Sequence, residues 1–301
     1  MNVHNRDMQN NKIVLIFSTQ RSGSTMVCSD FAQTKILGNP SEYFTEKILP
    51  GSNFDNCSLS PKEIKAEIDR ILNKATTANG VTSIKVMSDY ITEIAKALEA
   101  IGIKPKSSDS PSKQETRSPR EHLKQLFVSF FNDLDVDDNF VAFRVYRKDK
   151  LKQAVSRFVA AKTGLYHVWR NAEGKLDNHY DRPENKATPF SLDIDRNYDY
   201  NKLSNIIDSI YREEKELDVL FESFNIRPIN IIYEEIVENT DYLKDIAKQT
   251  KLIEDLSVIG KIERKTVKTS SKINQELIQR FNEDGGYREK TYSSVPMNQI
   301  K

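Results

Sequence analysis

The sequence predicts a three-layer α/β/α fold with a central parallel sheet and a P-loop-like opening of strand, loop and helix. Four short apolar runs are separated by segments of helical periodicity. The first run lacks polar alternation, which is typical of a strand covered on both faces. Polar clusters follow two of the runs, at the strand ends where such sheets bind ligands. At 301 residues the chain is long enough to bury this core in a single large domain.

The first strand and the loop after it are the most informative stretch. Ile13 to Phe17 are consecutive apolar residues, and a helical pattern begins after Thr25. A helix N-terminus presents unpaired backbone N–H groups, and small hydroxyl residues with one arginine add further donors. The loop therefore predicts a phosphate or sulfate site, although a Ser/Gly turn with a capping serine is the alternative. This anion loop consists of Thr19, Gln20, Arg21, Ser22, Gly23, Ser24 and Thr25.

The anion loop does not match the nucleotide P-loop. That motif requires Gly, four residues and then Gly-Lys-Ser/Thr, so that a lysine and a magnesium-bound hydroxyl meet the terminal phosphates. Here Arg21 is the cation, and its fork geometry suits bidentate recognition of an oxyanion. The missing lysine motif argues against a nucleotide kinase.

The next elements repeat the strand-then-helix order. The first helix is expected to end at residues 38–40, a Gly-Asn-Pro sequence. Ser60-Pro61 with Glu63 predicts an N-cap, a proline at the first helical position and a helix to about Ala75. Residues 83–87 form a second strand, and the helix after it is expected to stop at Gly102.

Residues 104–120 contain no aliphatic or aromatic side chain, so we predict a flexible surface insertion there. A helix is expected over 123–131 and a third strand over 139–146. Arg147 lies at the carboxyl end of that strand, and Ser156 lies on the helix that follows. Both could reach one phosphate, although a surface arginine and a solvent-facing serine would give the same sequence.

The second half adds an irregular stretch and a long helix. Residues 171–200 are polar without a period, which predicts an excursion that contacts an acceptor or a partner. Residues 203–224 form the most amphipathic helix, and together the two segments could make a homodimer contact. A fourth strand is expected over 229–233. A single domain is thus predicted for 12–286, with a flexible N-terminus (1–11) and a polar tail (287–301).

Composition narrows the function classes. The chain has 45 basic and 44 acidic residues, so no overall positive field indicates nucleic-acid binding. Two cysteines, Cys28 and Cys57, are too few for a disulfide framework. The sequence also has no paired Cys/His spacing of the kind that binds zinc. No apolar run approaches the roughly 20 residues that span a bilayer, and no signal peptide is evident. We therefore expect a cytoplasmic protein without a membrane span or a bound metal.

Taken together and in order, the motifs resemble the bacterial trehalose 2-sulfotransferase family. The similarity covers most of residues 12–285. The stretches that carry it are Arg21–Thr25, Gly38–Phe44, Arg147–Ser156, Lys162–Gly164 and Ile231–Ile236. The resemblance implies a sulfotransferase fold, the donor 3′-phosphoadenosine 5′-phosphosulfate (PAPS), the product 3′-phosphoadenosine 5′-phosphate (PAP) and no metal.

The resemblance also assigns roles to individual residues. The anion loop would hold the 5′-phosphosulfate, with Arg21 stabilising charge on the leaving oxygen. Arg147 and Ser156 would hold the 3′-phosphate. Glu42, in the Pro-x-Glu-Tyr-Phe match, would be the catalytic base that deprotonates the acceptor hydroxyl. Without the resemblance, Glu42 reads as an exposed acid after a helix-ending proline.

Further residues have two readings each. Tyr43 and Phe44 could line the acceptor pocket or belong to the core. His167 and Trp169 could contact the acceptor or lie at a partly buried helix end. The last pair, Arg264 and Lys265, could reach donor phosphate or form a solvated basic turn.

The sequence therefore predicts a PAPS-dependent transfer of a sulfuryl group to a hydroxyl of a carbohydrate or glycolipid, with a trehalose-like or polysaccharide acceptor. The acceptor is open because residues 104–120 and 171–200 match the family least well. Two alternatives are a nucleotide-binding scaffold or sensor on the same fold, without turnover, and a P-loop-type nucleotide kinase.

Overall fold

A computed structural model describes most of the chain. The described residues are 11–105, 118–135, 137, 140–164, 166, 169–170, 176–177, 193–252, 259–260, 262–264 and 272–288. Several predictions fall outside them: the N-terminus over 1–10, most of the insertion (106–117), most of the excursion (171–175 and 178–192), His167, Lys265 and the tail from 289.

The central sheet is parallel throughout. Its four strands lie in the order β2-β1-β3-β6, and a two-stranded antiparallel pair, β4-β5, lies apart from it. The fold-class prediction is confirmed, and each predicted strand is present with its ends shifted by one or two residues. The strands are β1 (Lys12–Ser18), β2 (Val81–Met87), β3 (Val141–Tyr146), β4 (Trp169–Arg170), β5 (Leu176–Asp177) and β6 (Ile229–Ile232).

Helices connect the strands and cover both faces of the sheet. They are α1 (Ser24–Thr34), α2 (Phe44–Lys47), α3 (Pro61–Ala75), α4 (Ile91–Ala100), α5 (Pro119–Leu134), α6 (Lys150–Thr163), α7 (Ile194–Asn197), α8 (Tyr200–Ser223), α9 (Tyr233–Ile236), α10 (Tyr242–Thr250) and α11 (Lys272–Glu283). Short 3₁₀ turns occur at Pro50–Ser52, Phe54–Asn56 and Ser88–Tyr90.

Strand β1 divides the core into two faces. Ile13, Leu15 and Phe17 point into a cluster formed mainly with α3, α4, α5 and α8, whereas Val14 and Ile16 point into a second cluster formed with α1 and α10. Successive strand residues face opposite sides of a sheet, so an uninterrupted apolar run is what two covered faces require. Phe17 packs edge-on against Phe221, with ring centroids 5.2 Å apart.

Chain order reverses at β1, because β2 pairs with one of its edges and β3 with the other. In parallel α/β sheets such a reversal opens a crevice beyond the carboxyl ends of the two strands. The anion loop follows β1 and Arg147 follows β3, so sheet order alone places both polar clusters beside this crevice.

Two predicted boundaries need correction. The surface insertion does not extend to residue 120, because Ser118 caps α5: its side chain accepts from Glu121 N while the Glu121 carboxylate accepts from Ser118 N. This is the Ser-Pro-x-Glu pattern that forms the predicted cap at Ser60. The irregular excursion likewise ends before 193, where α7 and α8 follow.

The apolar face of the long amphipathic helix α8 packs in the hydrophobic core. The apolar stripe of α8 packs on α6 and on the turn Ser88–Tyr90, with Leu203, Ile207 and Ile210 almost fully buried. Burial of this stripe accounts for its amphipathic pattern. A homodimer contact through α8 stays a prediction.

Replacing Ser118 by Ala should lower the free energy of unfolding by about 1 kcal/mol, because α5 loses the side-chain acceptor of its first turn. Ser58→Ala is the control, since Ser58 is an exposed serine outside the helix caps. Urea unfolding of both variants measures the difference. Equal stability of the two variants would contradict the capping role.

Candidate active site

A cleft of about 1750 Å³ opens at the carboxyl edge of the sheet. Its walls include residues that follow β1, β2, β3 and β6, so the sheet order determines which side chains meet there. The predicted site residues on its walls are Gln20, Arg21, Gly23, Ser24, Thr25, Glu42, Tyr43, Arg147, Ser156 and Arg264.

The anion loop has a strained, compact backbone. Arg21 has φ 64° and Gly23 has φ 95°, both in the left-handed region. Gly23 is required for a second reason: a Cβ at this position would overlap the Tyr233 ring. The Ser22 side chain is fully buried, and its Oγ has no hydrogen-bond partner among the described residues. A tight loop with an unsatisfied buried donor is suited to an anion.

Gln153 fixes the loop from below. This residue of α6 is fully buried, and its Nε2 donates to Thr19 Oγ1 at 2.9 Å and to the Gln20 carbonyl at 2.8 Å. The sequence analysis gave Gln153 no role. The available indication was a polar residue directly beside Ala154 and Val155 on the buried face of α6.

Arg21 contacts Ser156, although the family resemblance assigns these two residues to different phosphates. Its Nε donates to Ser156 Oγ at 3.0 Å, and its Nη1 donates to the Tyr166 carbonyl. Arg21 therefore reaches across the crevice to α6. The 5′ and 3′ sides of the predicted donor site are thus connected through the protein.

Arg147 lies in a shielded position. Its side chain is 14% exposed, so the surface-arginine reading does not describe it. The guanidinium carbon lies 4.8 Å from the centre of the Tyr233 ring, and Nε lies 3.6 Å from Glu234 Oε1. That Nε is buried without a hydrogen-bond partner in the described part of the chain. A cation with an unused donor beside the anion loop is suited to a second phosphate.

Glu234 supports the strand end that carries Arg147. Its carboxylate accepts from Lys148 N at 2.9 Å and from Asp149 N at 3.2 Å. Burial opposes ionisation of Glu234, but these backbone donors and Arg147 outweigh it and lower the pKa of the carboxyl. The ionised Glu234 thereby holds the loop after β3.

Glu42 faces the cleft with 29% of its side chain exposed, and it forms an ion pair with Lys85. The Lys85 side chain is 5% exposed, and its Nζ also donates to Thr25 Oγ1 at 3.2 Å. The predicted base and the anion loop are therefore joined by one ammonium group. Sequence reasoning missed Lys85, although a lysine inside an otherwise uncharged buried strand was visible.

The turn after β2 brings two more titratable groups toward Glu42. Burial and the nearby Glu42 carboxylate raise the pKa of the Tyr90 phenol, so Tyr90 is neutral near pH 7. Loss of hydration and the neighbouring Glu213 raise the pKa of the Asp89 carboxyl, in the same turn, to about 6. These groups and Lys85 form the electrostatic surroundings of Glu42.

The aromatic residues after Glu42 belong to the core. Tyr43 and Phe44 are each 2% exposed and pack in the hydrophobic cluster below the sheet edge. Phe44 does not line the cleft, and Tyr43 reaches its wall with the hydroxyl donated to the Asn39 carbonyl. The core reading therefore describes Phe44, whereas an acceptor contact through Tyr43 stays a prediction. Of Trp169 the structure describes only the backbone, in β4.

Arg264 is bound to other protein groups. Its guanidinium pairs with the fully buried Asp30 carboxylate at 2.8 Å and donates to the carbonyls of Val237 and Asn239. The Tyr242 hydroxyl donates to the same carboxylate at 2.9 Å. With 16% of its side chain exposed, Arg264 is not part of a solvated turn. Its contact with donor phosphate stays a prediction.

Replacing Arg264 by Met should lower the free energy of unfolding by about 3–5 kcal/mol, since Asp30 would keep a buried charge without its cation. Arg120→Met is the matched control: Arg120 pairs with Glu216 at the same 2.8 Å but is 60% exposed, and it should cost at most about 1 kcal/mol. Urea unfolding compares them. A small loss for both would mean that the Asp30 pair is not structural.

Three further observations concern a cysteine thiol, metal ligands and membrane-spanning helices. Burial raises the pKa of the Cys28 thiol to about 12, so this cleft-lining cysteine is a neutral thiol rather than a nucleophile. Among the described residues, no cluster of His, Cys, Asp and Glu is arranged as a metal site. None of the described helices has the length and apolar character to cross a bilayer.

The four-stranded sheet is parallel throughout, and the arginine-bearing loop at its switch point lacks the Gly-Lys-Ser/Thr motif; both features are consistent with an α/β sulfotransferase fold. The family model described as Stf0 sulphotransferase matches residues 13–284. The chain therefore belongs to the Stf0 sulphotransferase family, and it is a sulfotransferase. A trehalose 2-sulfotransferase from Mycolicibacterium smegmatis (strain ATCC 700084 / mc(2)155) is 23% identical over 227 residues, which cover 73% of this chain and 76% of that protein.

Proposed function

We propose that this enzyme transfers a sulfuryl group from PAPS to a hydroxyl of a carbohydrate, either a trehalose-like sugar or the sugar of a glycolipid or polysaccharide, with Glu42 as general base. One observation carries the proposal. Glu42 and the anion loop line the same cleft and are joined through Lys85 and Thr25. A base beside an anion site is the arrangement that hydroxyl attack on a bound sulfuryl group requires.

The residues at the crevice fit a donor with two separated phosphate positions. Ser22 Oγ and Arg147 Nε are buried donors without hydrogen-bond partners among the described residues. They lie after β1 and after β3, on the two sides of the switch point. We assign the anion loop to the 5′-phosphosulfate, and Arg147 with Ser156 to the 3′-phosphate.

When bound, PAPS supplies a sulfuryl group whose bond to the 5′-phosphate oxygen breaks as the acceptor oxygen bonds to sulfur, the electron pair remaining on that phosphate oxygen. Glu42 accepts the acceptor's hydroxyl proton, which turns a poor nucleophile into an effective one. Arg21 and the loop N–H groups stabilise the negative charge on the leaving oxygen. Gln153 keeps the loop in shape for this task.

A sugar is the acceptor class we infer from the relative. The related protein of M. smegmatis is named a trehalose 2-sulfotransferase. The cleft offers this chain's own hydrogen-bonding groups for sugar hydroxyls near Glu42, namely Tyr90 and Ser52. Transfer of labelled sulfate to a panel of sugars and glycolipids identifies the acceptor, and failure on every one would favour the sensor or scaffold alternative.

Glu42→Gln should lower turnover by about 10²-fold or more, because the amide cannot accept the hydroxyl proton. PAP binding should persist, since the anion loop and Arg147 are unchanged. The control is Glu99→Gln, an exposed glutamate of α4 outside the cleft, which should match the unmodified enzyme. Near-normal turnover in Glu42→Gln would reject the base assignment.

Arg147→Met should weaken PAP binding by about 10- to 100-fold, the value of a charge-assisted hydrogen bond. Arg120→Met, which removes an exposed arginine that does not line the cleft, is the control. Calorimetric titration with PAP, without magnesium, measures both. Equal affinity would remove Arg147 from the donor site, and magnesium-dependent ATP binding in place of PAP would overturn the proposed function.

A further inference from the structure

Lys85 is a charged residue in the middle of a buried strand. All seven residues of β2 are buried, and the Lys85 side chain is 5% exposed. Removing an ammonium from water is costly, so a lysine is retained in such a place only with a specific partner. Here the partner lies on the cleft side, which makes a purely structural ion pair an unsatisfactory explanation.

Lys85 contacts the segment of Glu42 twice. The Lys85 backbone N donates to the Ser41 carbonyl at 3.2 Å, and its side chain forms the ion pair with the Glu42 carboxylate. The main chain fixes where the segment lies, while the ammonium fixes where the carboxylate points. A carboxylate in hydrogen-bond contact with a cation is also favoured in its ionised form, which is the form a base needs.

The same ammonium reaches the anion loop. Lys85 Nζ donates to Thr25 Oγ1 at 3.2 Å, in the first turn of α1. When Glu42 accepts a proton it loses its charge, and the buried ammonium then has no counterion on that side. Its positive charge faces the loop at the moment when negative charge develops there.

Resting on the proposed function, we propose that Lys85 is the positioning residue of this site: it orients and ionises Glu42 and couples proton transfer to charge stabilisation at the anion loop. The titratable groups that face this pair are Cys28 from α1, and Asp89 and Tyr90 from the turn after β2. None of them can replace Lys85, because neither a thiol, a carboxyl nor a phenol supplies a positive charge.

The test is a cycle of three variants: Lys85→Met, Glu42→Gln and the double variant. Lys85→Met should lower kcat by about 10²-fold and leave the PAP dissociation constant within about threefold. The acid limb of its kcat/KM profile should move to higher pH, because the carboxylate has lost its cation. The loss of kcat in the double variant should be smaller than the product of the two single losses, since Lys85 acts in part through Glu42.

Lys12→Met is the matched control. Lys12 is also a strand lysine paired with carboxylates, those of Asp135 and Asp137. It is the first residue of β1, so it lies at the amino end of the strand, whereas the cleft lies at the carboxyl end. It should leave kcat and the pH profile unchanged. Lys85→Met should fold, because Glu42 is partly hydrated; if it does not, the neutral double variant still tests the proposal against Glu42→Gln.

A second measurement, which needs neither PAPS nor PAP, is the midpoint of thermal unfolding of the free protein. The midpoint shifts of Lys85→Met and Glu42→Gln should be non-additive in the double variant, as expected for groups in contact. Normal kcat in folded Lys85→Met, or additive losses in kcat, would overturn the role of Lys85 alone. Full activity of Glu42→Gln, or absence of PAP binding in the unmodified enzyme, would instead overturn the proposed function.

Discussion

The parallel pairing of β1 on both of its edges is the constraint on which the site depends. It brings the ends of β2 and β3 beside the anion loop, so that Lys85, Arg21 and Arg147 line one cleft although they are far apart in sequence. The apolar residues of β1 stabilise this arrangement by filling both faces of the sheet. The chemistry of the cleft is thus positioned by an interior strand that contributes no charged group to it.

The site itself is built from buried polar groups that support one another. Gln153 holds the anion loop, Glu234 holds the loop after β3, and Lys85 holds Glu42. Interactions of this kind are stronger away from water and costly when incomplete. Arg21, Glu42 and Arg147 lie on loops, while Lys85, Gln153 and Glu234, which contact these loops, lie on a strand and two helices.

How far the sequence predicts this structure depends on whether a signal is local. The cap at Ser60 and the strand ends are local patterns, and they were predictable. The cap at Ser118 has the same pattern, but it was hidden inside a segment whose composition indicated disorder. Lys85 and Gln153 were visible as polar residues on buried faces. Their partners, however, are distant in sequence: Glu42 lies 43 residues from Lys85, and Thr19 lies 134 residues from Gln153. Long-range pairing of this kind is fixed by sheet order, which local periodicity does not encode.

The Asp30–Arg264 pair has a consequence for the order in which the enzyme matures. Its two members are 234 residues apart, and Asp30 lies on α1, directly behind the anion loop. During synthesis the first helix is complete long before its arginine exists, so the carboxylate stays uncompensated until nearly the whole chain has been made. Burial of Asp30 beside its cation therefore has to wait for Arg264, so the finished packing of α1 depends on a residue that is made late.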